Sequence, residues 1–132
     1  MSFCWNDFLQ LAKELSQSPA QLGPREAVLR SAASRAYYAA YHCALALANR
    51  EGYDDDARDT GTHAALRKHF RTQPKERELH LKIADRLEKC CRLRIKADYK
   101  DDLGRMPESA AEWAIINADD VIEFLDRLEN TD

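Results

Sequence analysis

The sequence has few residues that interrupt regular structure and no long apolar run. Its 132 residues include only four glycines and four prolines, which favours a few long elements over many short strands. No stretch approaches the roughly 18 consecutive apolar residues that a membrane-spanning helix needs, and the first residues lack the basic start of a signal peptide. We therefore expect a cytoplasmic protein with no membrane partner.

The four cysteines lack the spacing of a metal site. Cys4 and Cys43 stand apart, and Cys90 and Cys91 are adjacent, so the chain contains no CxxC pair. Adjacent cysteines are poorly placed to bridge each other, and a zinc site would need a second cluster at ligand spacing. The sequence therefore predicts reduced thiols, no metal site and no cofactor.

The net charge of −3 is divided unevenly along the chain. Residues 1–62 carry 6 Lys or Arg and 8 Asp or Glu, residues 63–100 carry 12 and 5, and residues 101–132 carry 2 and 10. A basic middle followed by an acidic segment is typical of polyanion binding, or of two oppositely charged surfaces that meet in an assembly. Two helices that pack within one domain would show the same asymmetry.

Apolar residues recur at helical spacing through most of the chain, and no segment alternates with period two for long enough to predict a strand. The predicted helices cover about 3–16, 24–50, 63–71, 75–99 and 108–129. The length indicates a single domain over 1–132. The predicted fold class is all-α, an antiparallel four- to five-helix bundle with two long central helices.

The segment SAASRAYYAAYHCALALA, residues 31–48, presents two different faces on a helical wheel. Its alanines gather on one broad side, where small side chains let another helix approach closely. Tyr37 and Tyr41 have room to lie across the neighbouring groove. Helix packing is sufficient to explain this side of the segment.

The other side of that helix carries a polar stripe. Arg35 and His42 are seven residues apart, so they share one face, and Ser31 and Tyr38 lie close to the same line. A guanidinium, an imidazole and a phenol suit phosphate binding, proton transfer near neutral pH and base stacking. Helix packing does not require this stripe, which makes it the candidate site.

Three blocks of the sequence, SAASRAYYAAYHCALAL, THAALRKHF and CCRLRIKADY, resemble the HEPN family of helical domains. The similarity extends over residues 24–128. Its most specific parts are the Ser-Arg-x-Tyr-Tyr-x-x-Tyr-His pattern of the first block and the Ala-Asp-Tyr end of the last. The resemblance implies an antiparallel four- or five-helix bundle that forms a homodimer through its long helices.

The resemblance also implies an activity. Many HEPN proteins are metal-independent endoribonucleases of toxin–antitoxin or defence systems, and they pair an Arg-x(4–6)-His motif from each subunit across the dimer axis. Arg35 and His42 fit that spacing. His42 would then act as general acid or base on RNA, Arg35 would stabilise charge on the phosphoryl group, and Tyr38 completes the catalytic candidates. Many members have a separate nucleotidyltransferase chain as antitoxin partner.

The sequence departs from the toxin members in one respect. In many of them the Arg–His pair lies on the later long helix, whereas RLRIKADYKDD contains Arg94, Asp98 and Tyr99 but no histidine, and the last histidine is His80. Arg94 and Asp98 have the spacing of a helix salt bridge, and Arg35 could instead pair with Asp98. The alternative function is a non-catalytic HEPN module that pairs with a nucleotidyltransferase or binds nucleotide or RNA.

The basic stretch 63–100 supplies further candidates for RNA contact. Arg67 and Lys68 are adjacent cations in the predicted helix 63–71, and phosphate contacts by such residues make binding depend on salt. Arg58 and His63 are five residues apart across an acidic loop, where the spacing predicts no geometry. The binding candidates are Ser31, Arg67, Lys68, Arg94, Asp98 and Tyr99.

Overall fold

The computed structural model describes residues 3–54, 62–104 and 106–131, which contain α-helices and no strand. This confirms the all-α prediction. None of the helices in those three ranges is both long and apolar enough to cross a membrane. The helices are α1 (Asn6–Gln17), α2 (Pro19–Leu22), α3 (Arg25–Arg50), α4 (Thr62–Arg71), α5 (Arg77–Tyr99) and α6 (Pro107–Glu129).

Five of these helices are the predicted ones, with ends that differ by at most three residues. The structure also contains one helix that was not predicted, α2, a single turn in the break between α1 and α3. Pro19 occupies its first turn, where a missing N–H costs nothing because no helical carbonyl would accept it. One turn of four residues has no room for apolar periodicity, so the spacing could not predict it.

Consecutive long helices run antiparallel. Arg30 near the start of α3 donates hydrogen bonds to the carbonyl oxygens of Ala97 and Lys100 at the end of α5. Along α5 and α6, the Arg86 Nε atom lies 3.1 Å from an Asp120 carboxylate oxygen, and Cys90 contacts α6 further along. α5 therefore runs opposite to both α3 and α6.

α3 and α6 consequently run parallel to each other. Arg25 pairs with Glu108 where both helices begin, and Arg50 pairs with Glu129 where both helices end, with 2.6 Å between Nη2 and Oε1. The prediction of two long central helices fits α3 and α5. α6 has the same length as α5 and packs against both.

The core confirms the predicted role of the alanine face. α1, α3, α4, α5 and α6 all contribute to one buried apolar cluster. On α3 the side chains facing this cluster are small, so the neighbouring helices can approach its backbone closely. The fully buried alanines of that face are Ala32, Ala33, Ala36, Ala40 and Ala44.

Glu51, just after α3, joins three elements. Its Oε1 atom lies 2.8 Å from Nε2 of His69 on α4, and its Oε2 atom lies 2.8 Å from Nε2 of His80 on α5. The His80 Nδ1–H donates to the Glu76 carbonyl oxygen at 3.0 Å. This contact, the Glu51 clasp, fixes the end of α3 against α4 and α5, and α4 carries part of the site described next.

The described cysteines are all free thiols. Cys4 is exposed, whereas Cys90 and Cys91 are buried. The Cys90 Sγ–H donates to the Ala114 carbonyl oxygen at 3.4 Å, and burial followed by the neighbouring Cys91 raises the pKa of Cys90. Cys90 therefore behaves as a neutral packing residue between α5 and α6.

Candidate functional site

The predicted stripe on α3 lies beneath aromatic side chains from the start of the chain. The Arg35 guanidinium carbon is 4.8 Å from the centroid of the Phe8 ring and 5.8 Å from that of Tyr38. The His42 ring stacks on Trp5 with 3.6 Å between centroids, and it lies 6.2 Å from the Tyr38 ring. The structure therefore brings the three catalytic candidates together and adds Trp5 and Phe8 to them.

Burial on Trp5 changes the acid–base behaviour of His42. Removing the imidazole from water disfavours its charged form, and this lowers the pKa of His42 below its ordinary value. A neutral imidazole near pH 7 has a nitrogen lone pair that can take a proton. The environment therefore favours a proton-accepting role in the resting protein.

A second imidazole, from α4, completes the same cluster. The centroid of Tyr41 is 5.1 Å from that of His42 and 4.6 Å from that of His63, and Tyr38 lies 6.3 Å from His63. Two histidines thus flank the same pair of tyrosine rings. Burial and then the charges of Arg94, Arg67 and His42 lower the pKa of His63.

Sequence reasoning missed His63 as a site residue because it lies 21 positions after His42 in the chain. The intervening segment 55–61 has no periodicity that would fix its path, so spacing could not bring the two histidines together. Arg58, considered with His63 from the sequence, lies outside the described residues. The available signal was that His63 lies in the most basic part of the chain, which also contains Arg67 and Arg94.

Tyr37 holds His63 in place. The Tyr37 hydroxyl forms a hydrogen bond with Nδ1 of His63, and the Tyr37 side chain is buried. Burial, reinforced by Cys91, raises the pKa of Tyr37, so its hydroxyl stays protonated. Because Nδ1 is occupied by Tyr37, Nε2 is the nitrogen of His63 that is left for proton transfer. Tyr37, predicted as a packing residue, also positions this imidazole.

Arg94 of α5 lies against the same tyrosines. Its guanidinium carbon is 5.3 Å from the Tyr37 centroid and 5.5 Å from the Tyr38 centroid, although only 7% of the residue is exposed. Nη1 of Arg94 lies 3.6 Å from Asp98 Oδ2, the salt bridge that the spacing predicted, and Nη2 lies 4.0 Å from Cys91 Sγ. Its Nε is buried without a hydrogen-bond partner.

Arg67 supplies further unused donors. Its Nε and Nη1 atoms are buried and have no hydrogen-bond partner, and its charge acts on Tyr37 and His63. A buried donor left unsatisfied costs about 1–3 kcal/mol, more when charged. Oxygens of a bound anion would satisfy these donors. The imidazole–guanidinium cluster consists of Arg35, Tyr38, His42, His63, Arg67 and Arg94.

Asp98 does not pair with Arg35. Both residues line a groove of about 520 Å³ between α1, α3 and α5, and Ser31 lines it as well. The carboxylate of Asp98 contacts Arg94 instead. Within the described residues no ion pair involves Arg35, so the alternative pairing considered from the sequence is absent from this structure.

Two binding candidates lie away from the cluster. Lys68 is exposed on α4, and Tyr99, the last residue of α5, is 74% exposed. In the described part of the chain, no side-chain contact joins either residue to the cluster. Of the nine candidates, Arg35, Tyr38, His42, Arg67 and Arg94 lie in the cluster, Ser31 and Asp98 line the adjoining groove, and Lys68 and Tyr99 lie outside both.

Compared with known proteins, the chain matches no family model, no curated protein and no solved structure. The resemblance to HEPN domains therefore rests on the three sequence blocks. The first block lies on α3, the second on α4 and the third on α5. These are the three helices that supply the cluster.

Proposed function

We propose that this protein is a HEPN-like endoribonuclease that binds RNA phosphates and cleaves the chain without a metal. The observation that carries the proposal is the placement of His42 and His63 around the same two tyrosine rings, next to arginine donors that have no partner. One imidazole can take a proton while another gives one, which is the requirement of this reaction.

The reaction follows from these groups. One imidazole takes the proton of a ribose 2′-hydroxyl, whose oxygen attacks the adjacent phosphorus. The bond from phosphorus to the 5′-oxygen breaks, and that oxygen takes a proton from the second imidazole. The products are a 2′,3′-cyclic phosphate and a free 5′-hydroxyl. His42 and His63 supply these two imidazoles. Burial keeps the imidazole that acts as base neutral, and the acid is the protonated form of the other.

The arginines act on the phosphate. Arg67 and Arg94 donate to its non-bridging oxygens, which carry more negative charge in the transition state than in the ground state. Arg35 approaches from α3 and adds to this stabilisation. The resemblance further implies a homodimer and a separate nucleotidyltransferase partner, and a dimer would carry two copies of the cluster.

Cleavage of a fluorescent RNA in EDTA tests the proposal. We expect wild-type protein to cleave, and His42→Ala and His63→Ala each to lose about 100-fold or more in rate. Lys82→Ala is the control, since Lys82 is exposed on α5 and pairs with Glu78 outside the cluster, and it should retain activity. An uncleaved RNA, or equal rates in all three variants, would contradict the assignment.

A second candidate is the non-catalytic module that binds RNA or nucleotide. The contacts of Trp5 with His42 and of Phe8 with Arg35 favour it, because they cover two catalytic candidates. In this case neither wild type nor Trp5→Ala would cleave RNA, yet both would bind it.

The salt dependence of RNA binding identifies which cations contact phosphate, whether the protein cleaves RNA or only binds it. Arg67→Glu should weaken binding and lower the salt slope by about 0.7 for each phosphate of the single strand that the variant no longer binds. Lys68→Glu makes the same charge change at the neighbouring exposed residue and should have the smaller effect. Equal effects of the two variants would indicate general charge attraction and not a built site.

A further inference from the structure

A groove between α5 and α6 is separate from the imidazole–guanidinium cluster and shares no residue with it. Its volume is about 470 Å³, within the range of pockets that hold small ligands. α5 contributes mostly basic residues, and α6 contributes two apolar and two polar ones. The lining residues are Arg86, Lys89, Arg92, Leu93, Lys96, Trp113, Ile116, Asn117 and Asp120.

One end of the groove carries a network of ion pairs. The Arg86 Nε atom lies 3.1 Å from Asp120 Oδ2, and its Nη1 atom lies 2.6 Å from Asp85 Oδ2. Lys89 also reaches Asp85, with 3.2 Å between Nζ and Oδ2. The cations at this end are therefore neutralised by the protein itself.

The other end carries cations that are less fully paired. α5 and α6 are antiparallel, with Cys90 opposite Ala114, so Arg92 and Lys96 fall at the Trp113 end. Lys96 forms no ion pair within the described residues, and Arg92, which reaches Glu88 at 3.2 Å, has a largely exposed side chain. The surplus positive charge of the groove is therefore concentrated beside Trp113.

Trp113 is an aromatic ring left in solvent. It is 56% exposed, and its neighbour Ile116 is also exposed. Beneath them the buried Asn117 donates its Nδ2–H to the Trp113 carbonyl oxygen at 2.8 Å, which helps to fix this turn of α6. A large ring on a fixed turn, beside the unpaired Lys96 and the exposed Arg92, suits a ligand that is flat and aromatic at one end and anionic at the other.

We propose that this groove binds a nucleobase joined to a phosphate, with the base stacked on Trp113 and the phosphate on Lys96 and Arg92. Stacking on an aromatic side chain and pairing with nearby cations are the two contacts that hold a nucleotide unit without reading its sequence. The unit can come from a free nucleotide or from single-stranded RNA. This second site is independent of the proposed cleavage.

Tryptophan fluorescence tests the proposal directly. The chain has two tryptophans, so Trp5→Phe leaves Trp113 as the only reporter. We expect saturable quenching by adenosine 5′-monophosphate, with affinity at least about 10-fold higher than for adenosine or ribose 5-phosphate, because each half lacks one of the two contacts. Equal affinity for adenosine would overturn the role of the cations.

A 2′-O-methyl hexaadenylate distinguishes the two sources. It lacks the hydroxyl that the proposed cleavage uses, so its binding is measured independently of catalysis. Affinity about 10-fold above that of the mononucleotide would assign the groove to RNA, and equal affinity would assign it to free nucleotides. Either result supports the site, whatever the outcome of the cleavage assay.

Lys96→Glu, made in the Trp5→Phe background, is the decisive variant. It should weaken binding about 10-fold or more, whereas Lys75→Glu makes the same change at an exposed lysine outside the groove and should not. Circular dichroism verifies that both variants fold. The proposal would be overturned by an absence of quenching or by equal losses of affinity in both variants. It would also be overturned if Trp113 emission shifted with protein concentration and nucleotide did not reverse the shift, because a second copy of the chain would then cover the groove.

Discussion

The four histidines of the chain fall into two pairs with different environments. His42 and His63 lie against aromatic rings and, in the case of His63, beside arginines, and both have a lowered pKa. His69 and His80 instead share the carboxylate of Glu51. The same side chain thus has two uses, one suited to proton transfer and one suited to holding helices together.

The lowered pKa values of His42 and His63 can be measured by NMR. We expect the imidazole ¹H–¹³C NMR signals of His42 and His63 to titrate with midpoints below about 6.5, the value for an unperturbed histidine. Single His→Gln variants assign the signals. A midpoint above that value for either residue would contradict the burial argument.

The same shifts predict how stability changes with pH. Because the folded pKa lies below the unfolded one, the unfolded chain binds the proton more readily, and the contribution of these residues is fully present above about pH 6.5. It is lost as the pH falls toward the folded pKa. The free energy of urea unfolding should therefore fall less between pH 7.5 and pH 5 in His63→Gln than in wild type.

At the scale of elements, α3 owes its central position to alanine. Helices α1, α5 and α6 all pack against it, and small side chains on the shared faces let them do so. Leucines at these positions would force the neighbours apart, and no local repacking could restore the fit on every side. The buried alanines therefore act as spacers as much as core residues.

A larger side chain on this face should lower the free energy of unfolding more at a buried position than at an exposed one. Ala36→Leu adds volume at a fully buried position and should lower the free energy of unfolding by about 1–3 kcal/mol. Ala46→Leu makes the same change at an exposed position of the same helix and should leave it nearly unchanged. Urea unfolding of the two variants tests the prediction, and equal stabilities would contradict it.

The Glu51 clasp is the second feature that holds helices together. Glu51→Ala leaves the buried His80 without its Nε2 partner, and an unsatisfied buried group costs about 1–3 kcal/mol. Glu26→Ala removes an exposed i,i+4 pair with Arg30 and should cost about 0.5 kcal/mol or less. Thermal or urea unfolding distinguishes the two variants. A Glu51→Ala variant as stable as Glu26→Ala would contradict the prediction that the clasp stabilises the fold.

The helices could be predicted from the sequence, as could most residues of the cluster, whereas the docking that brings the residues of α4 and α5 to those of α3 could not. Spacing of three and four residues places Arg35, Tyr38 and His42 on one face, because helical geometry is local. The contact of Tyr37 with His63 joins residues 26 apart, and the contact of Glu51 with His80 joins residues 29 apart. Such contacts depend on how helices dock, which a periodic pattern does not encode.

At the scale of the whole molecule, part of the charge asymmetry is used internally. Arg86 on the basic α5 pairs with Asp120 on the acidic α6, as expected if two oppositely charged helices pack within one domain. Arg25 and Arg50 meet acidic residues of α6 at either end of α3. These pairs leave several cations without an acidic partner in the described residues, among them Arg35 and Arg67 of the cluster and Lys96 of the groove beside Trp113.

The parallel pairing of α3 with α6 sets the order in which the chain can assemble. Its terminal contacts join residues 83 and 79 apart, whereas α5 and α6 meet through residues 34 and 24 apart. Contacts between distant residues require a longer loop to close and slow folding. We expect α5 and α6 to pair first, so that Cys90→Ala gives a high φ-value and Leu29→Ala a low one. Equal values would mean that the parallel seam forms together with the local hairpin.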